Sequence, residues 1–327
     1  MKVHILDDWF DTLRHLPCYA KLAGHDVTVW TDHVEDIDIL AQRLQDAVAV
    51  VLFRERTKVT RALLEKLPNL KLISQRSVYP HVDLPACTDN NVLLCSNMHG
   101  GTPSYAAAEL TFGLILSGMR QIPAQMASAK AGNWQMGVGK TLRGRTLGLY
   151  GYGRIAQAVA GYAQAFGMKV IWWSSEAGRA RAAADGVTVA PSRKAFFANS
   201  DVVSVHVRQK PDTKGIITAE DFAAMRPDAL FINTSRAGLL EPNALLNALN
   251  AGCPGTAAID VFDNEPLTDP TDPLLAHPNL IATPHIGFVT EDEFDLQFSD
   301  IFDQVNAYAA GAPEHMINPA VWGATSG

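Results

Sequence analysis

Short, uninterrupted apolar runs alternate with segments of helical spacing along most of the chain. Lys2–Leu6, Asp26–Thr31, Ala47–Phe53, Leu70–Ser74 and Val92–Cys95 are rich in Val, Ile and Leu and predict strands. Between them Thr12–Ala23, Ile39–Asp46 and Arg61–Lys66 carry apolar residues at helical intervals. Strands that are apolar throughout, separated by helices, imply a parallel sheet covered on both faces. A second series follows the basic entry Leu142–Arg145: Thr146–Tyr150, Lys169–Ser174, Val187–Ala190, Val202–Val207, Leu230–Asn233, Ala257–Asp260 and Leu280–Thr283. Seven such strands predict a second doubly wound sheet, of the kind that binds dinucleotides.

Two helical segments stand apart from this alternation. Residues 104–120 are apolar nearly all round, which predicts burial between the sheets or at a subunit contact. Glu291–Ala309 has helical spacing but leads to no further nucleotide unit, so the tail is expected to return to the first domain. The fold class is therefore α/β, with two Rossmann-like parallel-sheet domains, the first of them discontinuous.

Composition narrows the partners. A chain of 327 residues with 47% hydrophobic content supports two cores, and 27 basic against 34 acidic residues leave a net charge of −7. Both signs are mixed along the chain, so neither nucleic acid nor an anionic membrane is expected as a partner. The start, Met1–Asp8, meets acidic residues at once, unlike a signal peptide, and the apolar segment near Ala106–Met119 is too short to span a bilayer. Cys18, Cys87, Cys95 and Cys253 form no C-x-x-C pair and are expected as buried, reduced thiols of a cytoplasmic protein. No metal site is expected.

The first chemical signal is Gly151-Tyr152-Gly153-Arg154-Ile155-Ala156, between a strand and the helix Ala156–Gly167. Gly151 suits a tight turn, Gly153 lets backbone approach a pyrophosphate, and Ala156 allows close helix–strand packing. The acid that usually reads a ribose belongs at position 174, where Ser174 stands, followed by Ser175 and Glu176. Serine does not repel a 2′-phosphate, and Arg179 and Arg181 are near in sequence, so NAD and NADP stay open with a slight lean to NADP.

Three later strand ends carry further chemistry. Asn233-Thr234-Ser235-Arg236-Ala237-Gly238 offers an arginine, Asp260-Val261-Phe262-Asp263-Asn264-Glu265-Pro266 offers acids, and Thr283-Pro284-His285-Ile286-Gly287 offers an imidazole. Singly each is ordinary. Together, downstream of a dinucleotide loop, they resemble the D-isomer-specific 2-hydroxyacid dehydrogenase family over almost the full chain. That family includes D-3-phosphoglycerate, D-lactate, glyoxylate/hydroxypyruvate, formate and phosphite dehydrogenases.

The resemblance implies a flavodoxin-like substrate-binding domain over 1–100 and 288–327, and a nicotinamide dinucleotide-binding domain over 101–287. It implies hydride transfer between NAD(P)H and a 2-oxo acid or D-2-hydroxy acid. Arg236 would bind the substrate carboxylate and polarise its ketone, His285 would act as general acid in reduction and base in oxidation, and Glu265 would orient the imidazole. Asp260 would meet the nicotinamide carboxamide and Thr234 its ring. Ser174 and Ser175 would lie at the adenosine ribose, Val207 and Arg208 at the adenosine pocket, and Thr213 and Gly287 would complete the cofactor set. A homodimer through the nucleotide domains is implied, with the 104–120 helix and Trp134 as candidate contacts.

The sequence also departs from the family. A glycine-rich turn expected after the fourth strand reads Gln75-Arg76-Ser77-Val78-Tyr79-Pro80, leaving backbone donors at Ser77 and Val78 as substrate contacts. Arg54 and Arg56 resemble an arginine contacting distal substrate groups, or are a surface pair near Lys58. Arg208 replaces a common proline and is equally readable as a solvent-facing cation. Two alternatives remain: an NAD(H)-sensing, corepressor-like regulator, and a phosphite- or formate-type dehydrogenase of the same family.

Overall fold

The computed structural model describes residues 1–98 and 105–325, and its contacts divide the chain into two units. One comprises Met1–Pro103 with Thr290–Gly327, the other Ser104–Val289. The boundary expected between 100 and 101, and residue 104 at the head of an expected helix, lie outside the described residues.

In the first unit β1 (Lys2–Ile5), β2 (Asp26–Val29), β3 (Ala49–Val51), β4 (Leu72–Arg76) and β5 (Leu93–Asn97) pair in the order β2-β1-β3-β4-β5, all parallel. A cluster that includes Leu40, Leu44, Leu63, Leu67 and Ile73 forms one core layer. The helix Glu291–Ala309 packs on β4 and β5 and buries Phe294, Phe298, Ile301, Phe302 and Val305. Phe53 meets Phe294 and Phe298 at ring separations of 4.9 and 4.6 Å. Thr290 caps this helix by accepting the Glu293 amide at 3.2 Å, and the acids of its first turn suit the positive end of the helix dipole.

The expected helix Thr12–Ala23 is instead two 3-10 turns, Leu13–His15 and Pro17–Leu22. Pro17 forces the break: it has no amide to donate and drives Leu16 out of the helical region, to ψ 148°.

In the second unit β6 (Thr146–Tyr150), β7 (Lys169–Trp173), β8 (Val202–Val205), β9 (Leu230–Asn233), β10 (Thr256–Ile259) and β11 (Leu280–Ala282) pair in the order β11-β10-β9-β8-β6-β7, all parallel. The expected strand Val187–Ala190 is reduced to a single bridge from Val189 to Trp172 on the outer side of β7. Gly186, at φ +73°, and Pro191 bracket that run and leave it too short to continue the ladder.

The helix Ala106–Arg120 packs on the helix Arg154–Ala165 and on β9 and β10 of its own unit. Its burial is one-sided, through Ala108, Thr111, Phe112, Leu114, Ile115 and Met119, so the reading as apolar all round overstated it. Cys18, Cys87 and Cys95 are buried and free, and burial pushes their thiols up to about 12. Cys253 departs from the expectation: it is half-buried, and its Sγ donates to the Met225 carbonyl at 2.8 Å. Among the described residues no helix is long and apolar enough to cross a membrane.

Candidate active site

Because the second sheet is wholly parallel, the ends of β6, β8, β9, β10 and β11 open on one edge. The glycine loop leaves β6 there. Gly151 takes φ +118°, and a Cβ on it would lie 2.2 Å from the His206 carbonyl, so only glycine fits. Gly153 begins the helix Arg154–Ala165 and has nothing within 4 Å of a notional Cβ. Ala156 is fully buried beneath it. This is a cradle with room for a pyrophosphate at a helix start, and a bound nicotinamide dinucleotide would supply or accept the hydride.

At the end of β7, Ser174 sits over Gly178, where a Cβ would fall 2.3 Å from its Oγ. Ser175 caps the next helix by accepting the Gly178 amide at 3.3 Å. Arg179 lies over the Trp173 ring at 4.4 Å and donates to the Ser174 carbonyl at 2.6 Å. The fold brings Arg179 to position 174, whereas Arg181 and Arg208 are exposed. Tyr152 donates to Asp185 at 2.5 Å, at the far end of that helix.

After β8, burial pushes the His206 imidazole down to about 4, and its Nε2 lies 2.9 Å from Ser204 Oγ. Val207 is half-buried beside Gly151. The Thr213 hydroxyl donates to the Arg208 carbonyl at 2.8 Å and accepts the Lys210 amide at 2.8 Å, which shapes this turn.

The end of β9 presents Arg236. Asn233 is buried, donates to the Arg236 carbonyl at 2.9 Å and accepts the Ser235 amide at 3.0 Å, so the turn is held from below. Arg236 Nη1 donates to the Ser235 carbonyl at 2.8 Å. The Thr234 hydroxyl shares a hydrogen bond of 2.7 Å with Thr111 on the apolar helix, a partner that nothing in the local sequence announced.

The loops after β10 and β11 meet. His285 Nδ1 donates to Glu265 Oε2 at 2.5 Å, and Glu265 Oε1 accepts the Phe262 amide at 2.8 Å. Burial alone would raise the Glu265 carboxyl. The hydrogen bonds from His285 and Phe262, with the nearby charges of His285 and Arg236, outweigh it and hold Glu265 below the ordinary carboxylate range. The second ring nitrogen, Nε2, is thereby the one left for proton exchange.

His285 has a left-handed φ of 54°, and Asp260 anchors the backbone around it. That fully buried carboxylate accepts the Thr283 hydroxyl at 2.6 Å and the Ile286 and Gly287 amides at 2.8 Å each. A Cβ on Gly287 would come within 3.1 Å of Asp260 Oδ2, so glycine permits the close approach. Burial raises the Asp260 carboxyl, against these hydrogen bonds and the His285 charge, which lower it.

In the first unit, Ser77 takes φ +76°, keeping the backbone path that glycine would follow. Its amide donates to the Asn97 carbonyl at 3.0 Å, so the open donor expected at Ser77 is already used. Val78 is 37% exposed. Arg56 is not a surface cation: its guanidinium lies over the rings of Trp9 at 3.8 Å and Phe53 at 4.2 Å and donates to the Asp7 carbonyl at 2.6 Å. Burial lowers it to about 10. Arg54 is half-buried, with Nε 3.7 Å from Glu55.

Comparison with known proteins agrees with this geometry. Residues 112–287 match the description "D-isomer specific 2-hydroxyacid dehydrogenase, NAD binding domain". The D-3-phosphoglycerate dehydrogenase of Methanocaldococcus jannaschii is 35% identical over 283 residues, covering 85% of this chain and 53% of that protein. The chain thus spans about half the length of that relative. The glyoxylate reductase of Thermococcus litoralis is 30% identical over 91% of this chain and 92% of its own. The crystal structure of a phosphoglycerate oxidoreductase from Vibrio cholerae is 42% identical, with a TM-score of 0.89 over 95% of this chain and 100% of that one. This chain belongs to the D-isomer-specific 2-hydroxyacid dehydrogenase family.

Proposed function

We propose that the protein is an oxidoreductase that transfers a hydride between a nicotinamide cofactor and a 2-oxo acid or D-2-hydroxy acid. The observation that carries this is the His285–Glu265 pair on the same sheet edge as the glycine loop and Arg236. Arg236 binds the substrate carboxylate and draws electron density from the adjacent carbonyl. His285 Nε2 gives a proton to the carbonyl oxygen in reduction and takes it back in oxidation. Glu265 stays ionised and fixes the ring through Nδ1. Gly151, Tyr152, Gly153, Arg154 and Ile155 hold the pyrophosphate, Thr234 and Asp260 serve the nicotinamide end, and Val207, Arg208 and Thr213 border the adenosine.

Both NAD(H) and NADP(H) fit the end of β7. Ser174 carries no charge against a 2′-phosphate and Arg179 stands beside it, which favours NADP(H) modestly. We further propose a cytoplasmic homodimer that pairs through the segment 122–138, which exposes Ile122, Met126, Trp134 and Val138 at 40, 53, 75 and 92%. Light scattering at falling concentration checks the dimer, and a constant monomer mass refutes it. The activity is tested by scanning the purified chain with NADH and NADPH against a panel of 2-oxo acids. Failure to oxidise either cofactor with any acid refutes the reading.

A further inference from the structure

The helix Ala106–Arg120 touches the end of β9 through one buried hydroxyl. Thr111 is fully buried, and its Oγ1 has two partners at the same separation: the Ala107 carbonyl one turn back, at 2.7 Å, and Thr234 Oγ1, also at 2.7 Å. A threonine hydroxyl carries one hydrogen and two lone pairs, and a carbonyl oxygen can only accept. The Thr111 hydrogen is therefore committed to Ala107, a contact that threonines within helices commonly make. The hydrogen between the two hydroxyls is then that of Thr234, so Thr234 donates and Thr111 accepts. The helix fixes the direction of this bond, whatever lies on the other side of Thr234.

The neighbouring group at that edge has the same polarity. The Asp260 amide donates to the Asn233 carbonyl at 3.0 Å, which ties the end of β10 to the residue before Thr234. The Asp260 carboxylate receives the Thr283 hydroxyl and the Ile286 and Gly287 amides, and it has only acceptors to offer. The same turn of the helix stands close by: a Cβ on Gly287 would lie 3.7 Å from Ala107 Cβ and from Leu110 Cδ2. With its hydrogen turned inward, Thr234 likewise keeps only lone pairs for a ligand. Such an edge suits a group that donates, such as the NH2 of a primary carboxamide, and suits a ketone poorly.

We propose that Thr111 is a positioning residue for cofactor choice: by accepting the Thr234 hydrogen it keeps the Thr234 oxygen an acceptor, and so selects a nicotinamide carboxamide over a ring substituent without N–H donors. The proposal rests on the oxidoreductase reading above, which sets the nicotinamide end beside Thr234 and Asp260.

The test is calorimetric binding to the full chain, which needs no knowledge of the substrate. The ligands are NAD+ and NADP+ and the 3-acetylpyridine analogue of each, in which a methyl ketone replaces the carboxamide. The parent is expected to bind the carboxamide forms at least about fivefold more tightly, the scale of one hydrogen bond. In Thr111→Val the Thr234 hydrogen loses its acceptor and turns outward, where it opposes an N–H of the carboxamide but meets the ketone oxygen of the analogue. The preference should fall about fivefold. Thr111→Ala, which removes the hydroxyl and adds no bulk, should match it, and Thr111→Ser, which keeps the hydroxyl, should hold the parent's ratio. A parent without the preference overturns the inference, as does a loss shared equally by both ligands in Thr111→Val and Thr111→Ala, or a ratio that falls in Thr111→Ser as well. Those outcomes leave the oxidoreductase reading in place. Binding of none of the four dinucleotides by the parent overturns both.

Discussion

The two sheets share a topology but differ in what their first loop does with its backbone amides. Counted from its own first strand, the second sheet, β7-β6-β8-β9-β10-β11, repeats the order of β2-β1-β3-β4-β5 and adds one strand. After β6, Gly151 makes the tight turn against the His206 carbonyl and Gly153 leaves the loop open at a helix start. After β1, the fully buried Asp8 carboxylate occupies the Thr12 and Leu13 amides, so the chain's own side chain sits where an anion would bind. Topology supplies the place, and loop chemistry decides whether a dinucleotide can use it.

If the chemistry resides in the second unit, His285→Ala is the most damaging single change. Turnover should fall about 10²–10⁴-fold, the usual worth of a general acid–base group, while NADH binding followed by fluorescence stays within a few-fold. Activity near that of the parent, in a folded variant, would remove His285 from the mechanism. The second effect in size concerns the open loop. Gly153→Ala has room for its Cβ and an ordinary φ of −123°, so folding should lose about 1 kcal/mol or less. Cofactor affinity should nevertheless drop at least about tenfold, because the methyl stands where a pyrophosphate approaches. Unchanged affinity by calorimetry would mean that the loop after β6 is no more a phosphate site than the one after β1.

Much of this contrast was legible in the sequence, for a physical reason. Strands buried on both faces read as apolar runs, and the glycines at 151 and 153 announce the loop, the first of them at a turn that other residues cannot make. The order of Arg236, Glu265 and His285 named the edge at which they meet. What stayed hidden depends on partners far apart in sequence. Nothing in the local sequence ties Thr111 to Thr234, or the Asp8 carboxylate to the Thr12 and Leu13 amides. Arg56 stood between a contact to distal substrate groups and a surface cation, because no pattern places Trp9 over it. Val187–Ala190 had strand composition, yet Gly186 and Pro191 left it one bridge long.

Glu265→Gln should have an intermediate effect, about tenfold on kcat for reduction, and it tests how the pair responds to pH. Glu265 is held below its unfolded value, so its contribution is present above the ordinary carboxylate range and is lost as pH falls through the depressed folded value. At neutral pH the carboxylate is therefore charged beside His285. Glutamine keeps an acceptor for Nδ1 but removes that charge, so its deficit should shrink at acid pH, where the parent's Glu265 is itself protonated. A deficit that is the same at every pH would show that Glu265 only orients the ring.

The smallest expected effect returns to a feature that the two units share. Near the end of the second strand of each sheet a tryptophan carries an arginine from the following helix: Arg43 over Trp30 at 4.6 Å and Arg179 over Trp173 at 4.4 Å. In the first unit Arg43 is forked onto Asp32 at 2.7 and 2.6 Å, and its charge is spent there. In the second unit the acid is missing, Ser174 stands at the strand end, and Arg179 bonds only a carbonyl among the contacts that hold it there. Ser174→Asp would put a carboxylate beside Arg179, as Asp32 stands beside Arg43 in the first unit. The new carboxylate would draw Arg179 onto itself, repel a 2′-phosphate and accept from a ribose hydroxyl. The ratio of kcat/KM for NADPH over NADH should fall about tenfold, roughly 1.4 kcal/mol, in keeping with a charge pair in a partly solvated site. Arg179→Ala should move the ratio in the same direction by removing the cation. A ratio unchanged in both variants would mean that the end of β7 does not read the ribose, and that its Trp–Arg stack is as purely structural as the one after β2.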